Sequence, residues 1–274
     1  MAKTIFITGA SRGLGRIWAE AFLKRGDNVI AAVRTPKVMN SLLDEYPSSL
    51  LTLQLDVTDK QACLQAVEKS TERFGRIDTL INNAGYGHFG AIEELTEQEV
   101  TAQFQTNVFG AIWMIQAILP LFRKQKDGHI IQLSSALGLS TLPSFGLYSA
   151  SKFAVEGLGE ALDQEVKGFG IHVTILEPNG FATDFAGSSL SHSKPLDVYN
   201  QVKESIGSLQ GAKPEDTGVP EATVNAVLTL VDTENPPLHF ILGKAALPWV
   251  KNTYAQRLKT WGDWEKVSND AHGK

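Results

Sequence analysis

Ser135, Tyr148 and Lys152 follow a strand-like apolar run, His129–Leu133, and are spaced thirteen and four residues apart. Four residues is one helical turn, so Tyr148 and Lys152 share a helix face and the ammonium lies close to the phenol. An isolated phenol has a pKa of about 10, too high for efficient proton exchange near neutrality; a fixed cation beside it favours the phenolate. The pairing predicts a Tyr148 pKa lowered by Lys152. Ser135, at a strand C-terminus, is placed to donate to a carbonyl oxygen as negative charge develops there. A Tyr–Lys pair alone also marks an ordinary solvated helix face. Serine-hydrolase chemistry fits poorly, because no G-x-S-x-G surrounds Ser135 and no histidine stands in an evident partner position.

A second constellation opens the chain. Lys3–Thr8 reads as a strand buried on both faces, residues 8–15 read TGASRGLG, and Arg16–Lys24 reads as a helix. A strand turning into a helix N-terminus offers unpaired N–H groups and a positive dipole end, which suits a phosphate. Glycine is required where a Cβ would hold a pyrophosphate away or block helix-on-strand packing. The spacing of Gly9, Gly13 and Gly15 is G-x-x-x-G-x-G rather than the commoner G-x-G-x-x-G, and glycines also mark plain tight turns. The second strand ends Ala31-Ala32-Val33-Arg34, without the carboxylate that takes the ribose hydroxyls of NAD. Arg34 with Arg12 could instead clamp a 2′-phosphate through charge-assisted bonds, which favours NADP(H); either arginine could also be a solvated surface charge.

Strand-like runs recur at Asn28–Val33, Leu50–Leu55, Thr79–Ile81, His129–Leu133, Ile171–Leu176 and Leu238–Leu242, making seven with the first. Helical periodicity fills Asp59–Phe74, Glu97–Phe122, Ser149–Phe169 and Pro220–Val231. This alternation predicts an α/β fold: one doubly wound sheet of seven mainly parallel strands with helices on both faces. With 274 residues, 43% of them hydrophobic, the chain can bury one large core. A single dinucleotide-binding and catalytic domain over 1–274 is expected, with an excursion at about 184–218 and a tail at 244–274. The excursion is rich in serine and glycine and follows the sixth strand, where it is either a cover over the pocket or a tolerated surface loop.

A net charge of −5 gives no electrostatic footprint for nucleic acid or an anionic membrane. The apolar stretch Val108–Ile115 is too short to span a bilayer, no leader is expected before the first strand, and the single Cys63 suits a cytoplasmic setting. The six histidines lack ligand spacing, so no metal is expected.

These motifs together resemble the short-chain dehydrogenases/reductases over nearly the whole chain: TGASRGLG, Asp56-Val57, NNAG at 82–85, Asn107, Ser135, YSASK at 148–152, and Pro178–Thr183. The stretches AGYG at 84–87 and LYSASKFAVEGL at 147–158 look most like the NADP-linked retinol and hydroxysteroid-type branch. The resemblance implies a Rossmann-type fold. It implies cofactor contacts at Gly9, Ser11, Arg12, Gly13, Leu14 and Gly15, with Arg34 at the ribose, Asp56 and Val57 at the adenine, and Asn83, Ala84 and Gly85 along the cleft. Tyr148 and Lys152 would meet the nicotinamide ribose, and Pro178 and the Thr183 backbone the carboxamide end. Asn107 lies within the stripe Phe104, Val108, Ala111, Ile115, so its amide is buried and must be hydrogen-bonded. It is either a satisfied core amide or, as the family implies, a water-mediated link to Lys152. The chain departs from the family's Pro-Gly at Pro178-Asn179-Gly180. Asn tolerates left-handed angles, so the turn could survive with a bulkier side chain beside the nicotinamide.

The expected activity is reversible NADPH-dependent reduction of a ketone or aldehyde, with Tyr148 donating the proton; the rivals are an NAD-dependent sugar-nucleotide epimerase and a non-catalytic dinucleotide sensor. Phe89, Leu137, Leu142, Phe145, Phe181 and Phe185 flank the site in sequence and suggest an apolar substrate, though such residues more often belong to a core. The nearly all-apolar segment Val108–Phe122 and the stripe Ala150, Ala154, Gly157, Ala161 fit a homodimer or homotetramer, or equally burial within one chain.

Overall fold

The computed structural model describes residues 2–184, 187, 189–209 and 217–273; Phe185, Ser188 and Gly211 lie outside them. In chain order the elements are β1 (Thr4–Thr8), α1 (Gly13–Arg25), β2 (Asn28–Val33), α2 (Asn40–Glu45), β3 (Leu50–Gln54), α3 (Lys60–Phe74), β4 (Thr79–Asn82) and β5 (Gly87–Phe89). Then come α4 (Glu97–Phe104), α5 (Gly110–Gln125), β6 (Gly128–Leu133), α6 (Gly146–Val166), β7 (Ile171–Pro178) and β8 (Leu190–His192). Last are α7 (Asn200–Leu209), α8 (Thr223–Asp232), β9 (His239–Leu242), α9 (Ala246–Asp263) and α10 (Glu265–Asp270).

The seven expected strands form one sheet in the order β3-β2-β1-β4-β6-β7-β9, and every neighbouring pair is parallel. The near-continuous apolar runs follow from burial on both faces. Along β1, Ile5 and Ile7 enter the cluster formed with Trp18, Phe22 and Val227, whereas Phe6 between them enters the opposite cluster with Val67, Met114 and Ile118. Strand order turns outward in both directions from β1 and β4, which opens a crevice beyond their C-terminal ends. The chain's chemistry-bearing residues come from the ends of β1, β4, β6 and β7.

Three features go beyond the sequence expectation. β5 and β8 form a separate two-stranded parallel sheet, too short to show alternation. The tail carries α9 and α10 rather than a plain extension. Finally, the helix expected over Glu97–Phe122 is present, but α4 and α5 join in it through a π-helical turn, Gln105–Phe109, within 29 continuous helical residues from Glu97 to Gln125. That length and composition would suffice to cross a membrane, unlike the short stretch expected; here Met114, Ile118 and Phe122 bury one face in the sheet-facing core.

Candidate active site

The glycine loop is built by exclusion. Gly9 has φ +68° and Gly13 φ +55°, both left-handed. A Cβ on Gly9 would lie 2.9 Å from Ala84 Cα, and one on Gly15 would lie 2.5 Å from Asn83 Nδ2, so loop and β4 end are packed backbone to backbone. Asn83 Nδ2 donates to the carbonyls of Thr8 (2.9 Å) and Gly9 (3.1 Å), while Thr8 Oγ1 accepts the N–H groups of Asn83 and Ala84, both at 3.0 Å. The Asn83 side chain thus holds the loop's shape from behind. Beyond Gly13, a built Cβ meets, among the described residues, Thr183 Cβ at 3.8 Å. Arg12 at the N-cap of α1 offers no side-chain acceptor to the first turn, whose amides suit an anion. This cradle fits a dinucleotide pyrophosphate. Leu14 packs half-buried on the core, and Ser11 is also half-buried.

At the other side of the crevice, Ser135 ends the β6 segment with its Oγ accepting the Leu137 N–H at 3.1 Å. It shares a hydrogen bond with the Tyr148 phenol. Lys152 Nζ lies 5.7 Å from the centroid of the Tyr148 ring and donates to the Leu133 carbonyl at 2.7 Å. Tyr148 and Lys152 are both 5% exposed. Burial corrects the electrostatic expectation: desolvation pushes the Tyr148 phenol above its usual range, with the Ser135 hydrogen bond opposing. Burial likewise draws the Lys152 ammonium down to about 8, the Glu156 carboxylate opposing. The ammonium sits over the ring and is fixed by a carbonyl, so it does not offset the phenol's loss of water.

Asn107 is buried in the π-helical turn and its amide is satisfied: Nδ2 donates to Tyr86 O (3.0 Å) and Ser151 Oγ (3.1 Å), and Oδ1 accepts Tyr86 N–H (3.1 Å). A Cβ on Gly85 would meet Asn107 Oδ1 at 3.1 Å and Lys152 Nζ at 3.9 Å, which places all three side by side.

Arg34, just past β2, and Arg12 are exposed, and Arg34 helps hold Asp56 below the usual carboxylate range, after the Thr58 backbone hydrogen bond. Asp56 Oδ1 accepts from Thr58 N (3.0 Å) and Oγ1 (2.8 Å). The Val57 side chain packs on Gly110, where a Cβ would come within 2.6 Å. Pro178 ends β7 beside Leu242. Asn179 does not take the left-handed angle anticipated, since only Lys126 and Ser144 among described non-glycine residues have positive φ. Its amide turns toward Gly243, where φ is +103° and a Cβ would overlap Asn179 Oδ1. The extra side chain is therefore accommodated at the end of β9.

The excursion returns to the site edge: β8 pairs with β5, and Ser193 Oγ bonds His88 Nε2 at 2.8 Å. Phe89 meets Phe145 edge-on, with centroids 5.2 Å apart. Phe181, by contrast, packs on the main core. Thr8, Leu133 and Ser134 were not singled out beforehand, although Thr8 opens the glycine motif and the other two directly precede Ser135.

The family model for short chain dehydrogenase matches residues 3–194. The chain belongs to the short-chain dehydrogenase family. It is 39% identical over 251 residues to oxidoreductase BOA17 of Botryotinia fuckeliana, covering 91% of this chain and 92% of that protein. It is 38% identical over 263 residues to a 3-ketodihydrosphingosine reductase of Bacteroides thetaiotaomicron, covering 94% and 93%. A short-chain dehydrogenase structure from Streptomyces avermitilis superposes with a TM-score of 0.91 at 35% identity, covering 98% of both chains. ElxO with NADP bound superposes at 0.73 and 26% identity, covering 88% of this chain and 96% of that one. As a short-chain dehydrogenase the protein is an oxidoreductase acting on a small molecule.

Proposed function

We propose that this short-chain dehydrogenase reduces a ketone or aldehyde to an alcohol with NADPH, and that Ser135, Tyr148, Lys152 and Asn107 carry the reaction. The observation behind this reading is the Ser135–Tyr148 hydrogen bond with the Lys152 ammonium over the phenol ring, opposite a glycine cradle shaped for a dinucleotide. Bound NADPH would supply hydride to the carbonyl carbon. Ser135 and Tyr148 hold the substrate oxygen between two hydroxyls. As charge develops on it, Tyr148 gives up its proton, and a phenol that holds its proton tightly still yields it to an alkoxide, the stronger base. Reduction is thus the direction for which the buried phenol is already in the right protonation state. Lys152 lies close to Gly85 and Asn107, where the ammonium can hold the cofactor ribose and offset the charge left on Tyr148.

The choice of NADPH rests on Arg34 and Arg12 with no carboxylate at the end of β2, and the likeness to ElxO with NADP bound supports it. The likeness to a 3-ketodihydrosphingosine reductase supports a carbonyl substrate. Phe89, edge-on against Phe145 beside the β5–β8 sheet, supplies an apolar edge to the proposed pocket. We also assign a dimer or tetramer to the outward faces of α5 and α6: Ala150, Gly157 and Ala161 are exposed, so the small-residue stripe is not buried within the chain. The test is NADPH and NADH oxidation followed spectroscopically against a panel of ketones and aldehydes. Turnover of a carbonyl with NADPH preferred is expected; cofactor binding without turnover of any panel member would favour a sensor instead.

A further inference from the structure

One turn along α6 from Lys152, three elements bring together residues spread between positions 156 and 239 of the sequence. Glu156 comes from α6, Glu177 from β7 and His239 from β9, and one ligand atom of each lies within 4.8 Å of the others. Glu177 and Glu156 side chains are only 1% and 7% exposed, yet Oε2 of each has no hydrogen-bond donor. Two buried carboxylates in one cluster are costly unless a shared proton or a metal ion neutralises them. Glu160 adds a third carboxylate, leaving one imidazole among three acids. Lys152, one turn earlier on α6, is committed to the Leu133 carbonyl.

We propose that Glu156, Glu177 and His239 form a divalent-cation site whose nitrogen-and-oxygen donor set suits Zn2+ better than Mg2+. The donor spacing fits: His239 Nδ1 donates to Glu177 Oε1 at 2.7 Å, through a proton that a bound ion would displace, and lies 3.6 Å from Glu156 Oε2. Ligands about 2.1 Å from one ion at tetrahedral to right angles stand roughly 3.0–3.4 Å apart, between those two values. The supporting contacts are of the kind such sites need. Ser134 Oγ holds the other oxygen of Glu156, and His239 Nε2 faces Glu160 Oε1 at 3.5 Å, a carboxylate that orients the ring for ligation through Nδ1. The His239 side chain is 41% exposed and opens on a shallow groove lined by Leu139, Ile241, Leu247 and Tyr254, which gives a hydrated ion a path in. Mg2+ prefers an all-oxygen octahedral shell with several retained waters, whereas an imidazole nitrogen in the donor set favours Zn2+.

The test is calorimetric titration of tag-free, full-length protein with zinc chloride and with magnesium chloride, alongside melting temperature with and without each ion. One Zn2+ per chain and a raised melting temperature are expected, with Mg2+ binding far more weakly. Replacing the half-exposed His239→Asn should weaken Zn2+ at least about tenfold without disturbing the fold, as should the isosteric Glu177→Gln. Absence of stoichiometric Zn2+ binding, or equal affinity in both variants, would overturn the site. So would a Glu177→Gln protein that melts higher than a parent indifferent to Zn2+, because the two carboxyls would then be sharing only a proton.

Discussion

Tyr148 shows how two effects of one environment compete. The sequence places a cation within a helical turn of the phenol, which alone lowers its pKa; the fold buries both groups, and burial prevails. The result is a phenol that holds its proton more tightly than an exposed tyrosine does. Arg34 poses the corresponding question for the cofactor. It is exposed at the end of β2 beside Asp56, with no carboxylate of its own strand to satisfy. Hydrogen bonds to charged groups contribute about 1.5–3 kcal/mol, so Arg34→Asp should cut the preference for NADPH over NADH roughly ten- to hundredfold. Comparing kcat/KM for the two cofactors measures it, and an unchanged ratio would remove the clamp.

The sheet was legible because each strand is a short, largely apolar and β-branched run bounded by turn residues, and the seven runs form one parallel sheet as expected. Pieces of three residues, such as Gly87–Phe89, carry too little pattern to be read; they become strands only through tertiary contact with Leu190–His192. The tie between β6 and β7 is a further case. His129, with 7% exposure, bonds Thr174 Oγ1 at 2.9 Å, and Thr174 in turn donates to Pro237 O, so His129 Nε2 must carry the proton. Burial, then the charges of His172 and Lys3, hold His129 down at about 3. Its ordinary value is about 6.5, so below that pH the unfolded chain takes up a proton that the folded chain refuses. Stability should therefore fall as pH drops from about 6.5 toward 3, by up to about 1.4 kcal/mol per pH unit from this residue. Denaturant unfolding across that range checks it: His129→Gln should flatten the slope by about one proton, and an identical slope would contradict the assignment.

For the molecule as a whole, motif spacing revealed the crevice, since Gly9, Asn83, Ser135, Tyr148 and Lys152 follow strand ends that a doubly wound sheet brings together. What spacing could not reveal is contact between distant segments that lack a motif. The Asn179–Gly243 fit and the Glu156–Glu177–His239 cluster both depend on β9 lying beside β7. Likewise, the small stripe on α6 could have been internal, and only its exposure turns it outward. A Cβ on Gly157 would meet nothing within 4 Å, so the single chain can accept a large residue there. Gly157→Arg should leave the melting temperature of the isolated fold intact while reducing the assembly to smaller species in sedimentation experiments. An unchanged mass would place the contact between copies elsewhere.

In the proposed reaction the Tyr148 hydroxyl delivers the proton. Tyr148→Phe removes that oxygen and leaves the glycine cradle, Lys152 and the fold in place. NADPH should bind with near-parental affinity by fluorescence titration, while carbonyl-dependent NADPH oxidation falls by at least about 10²–10⁴-fold. Turnover close to that of the parent protein would contradict the account.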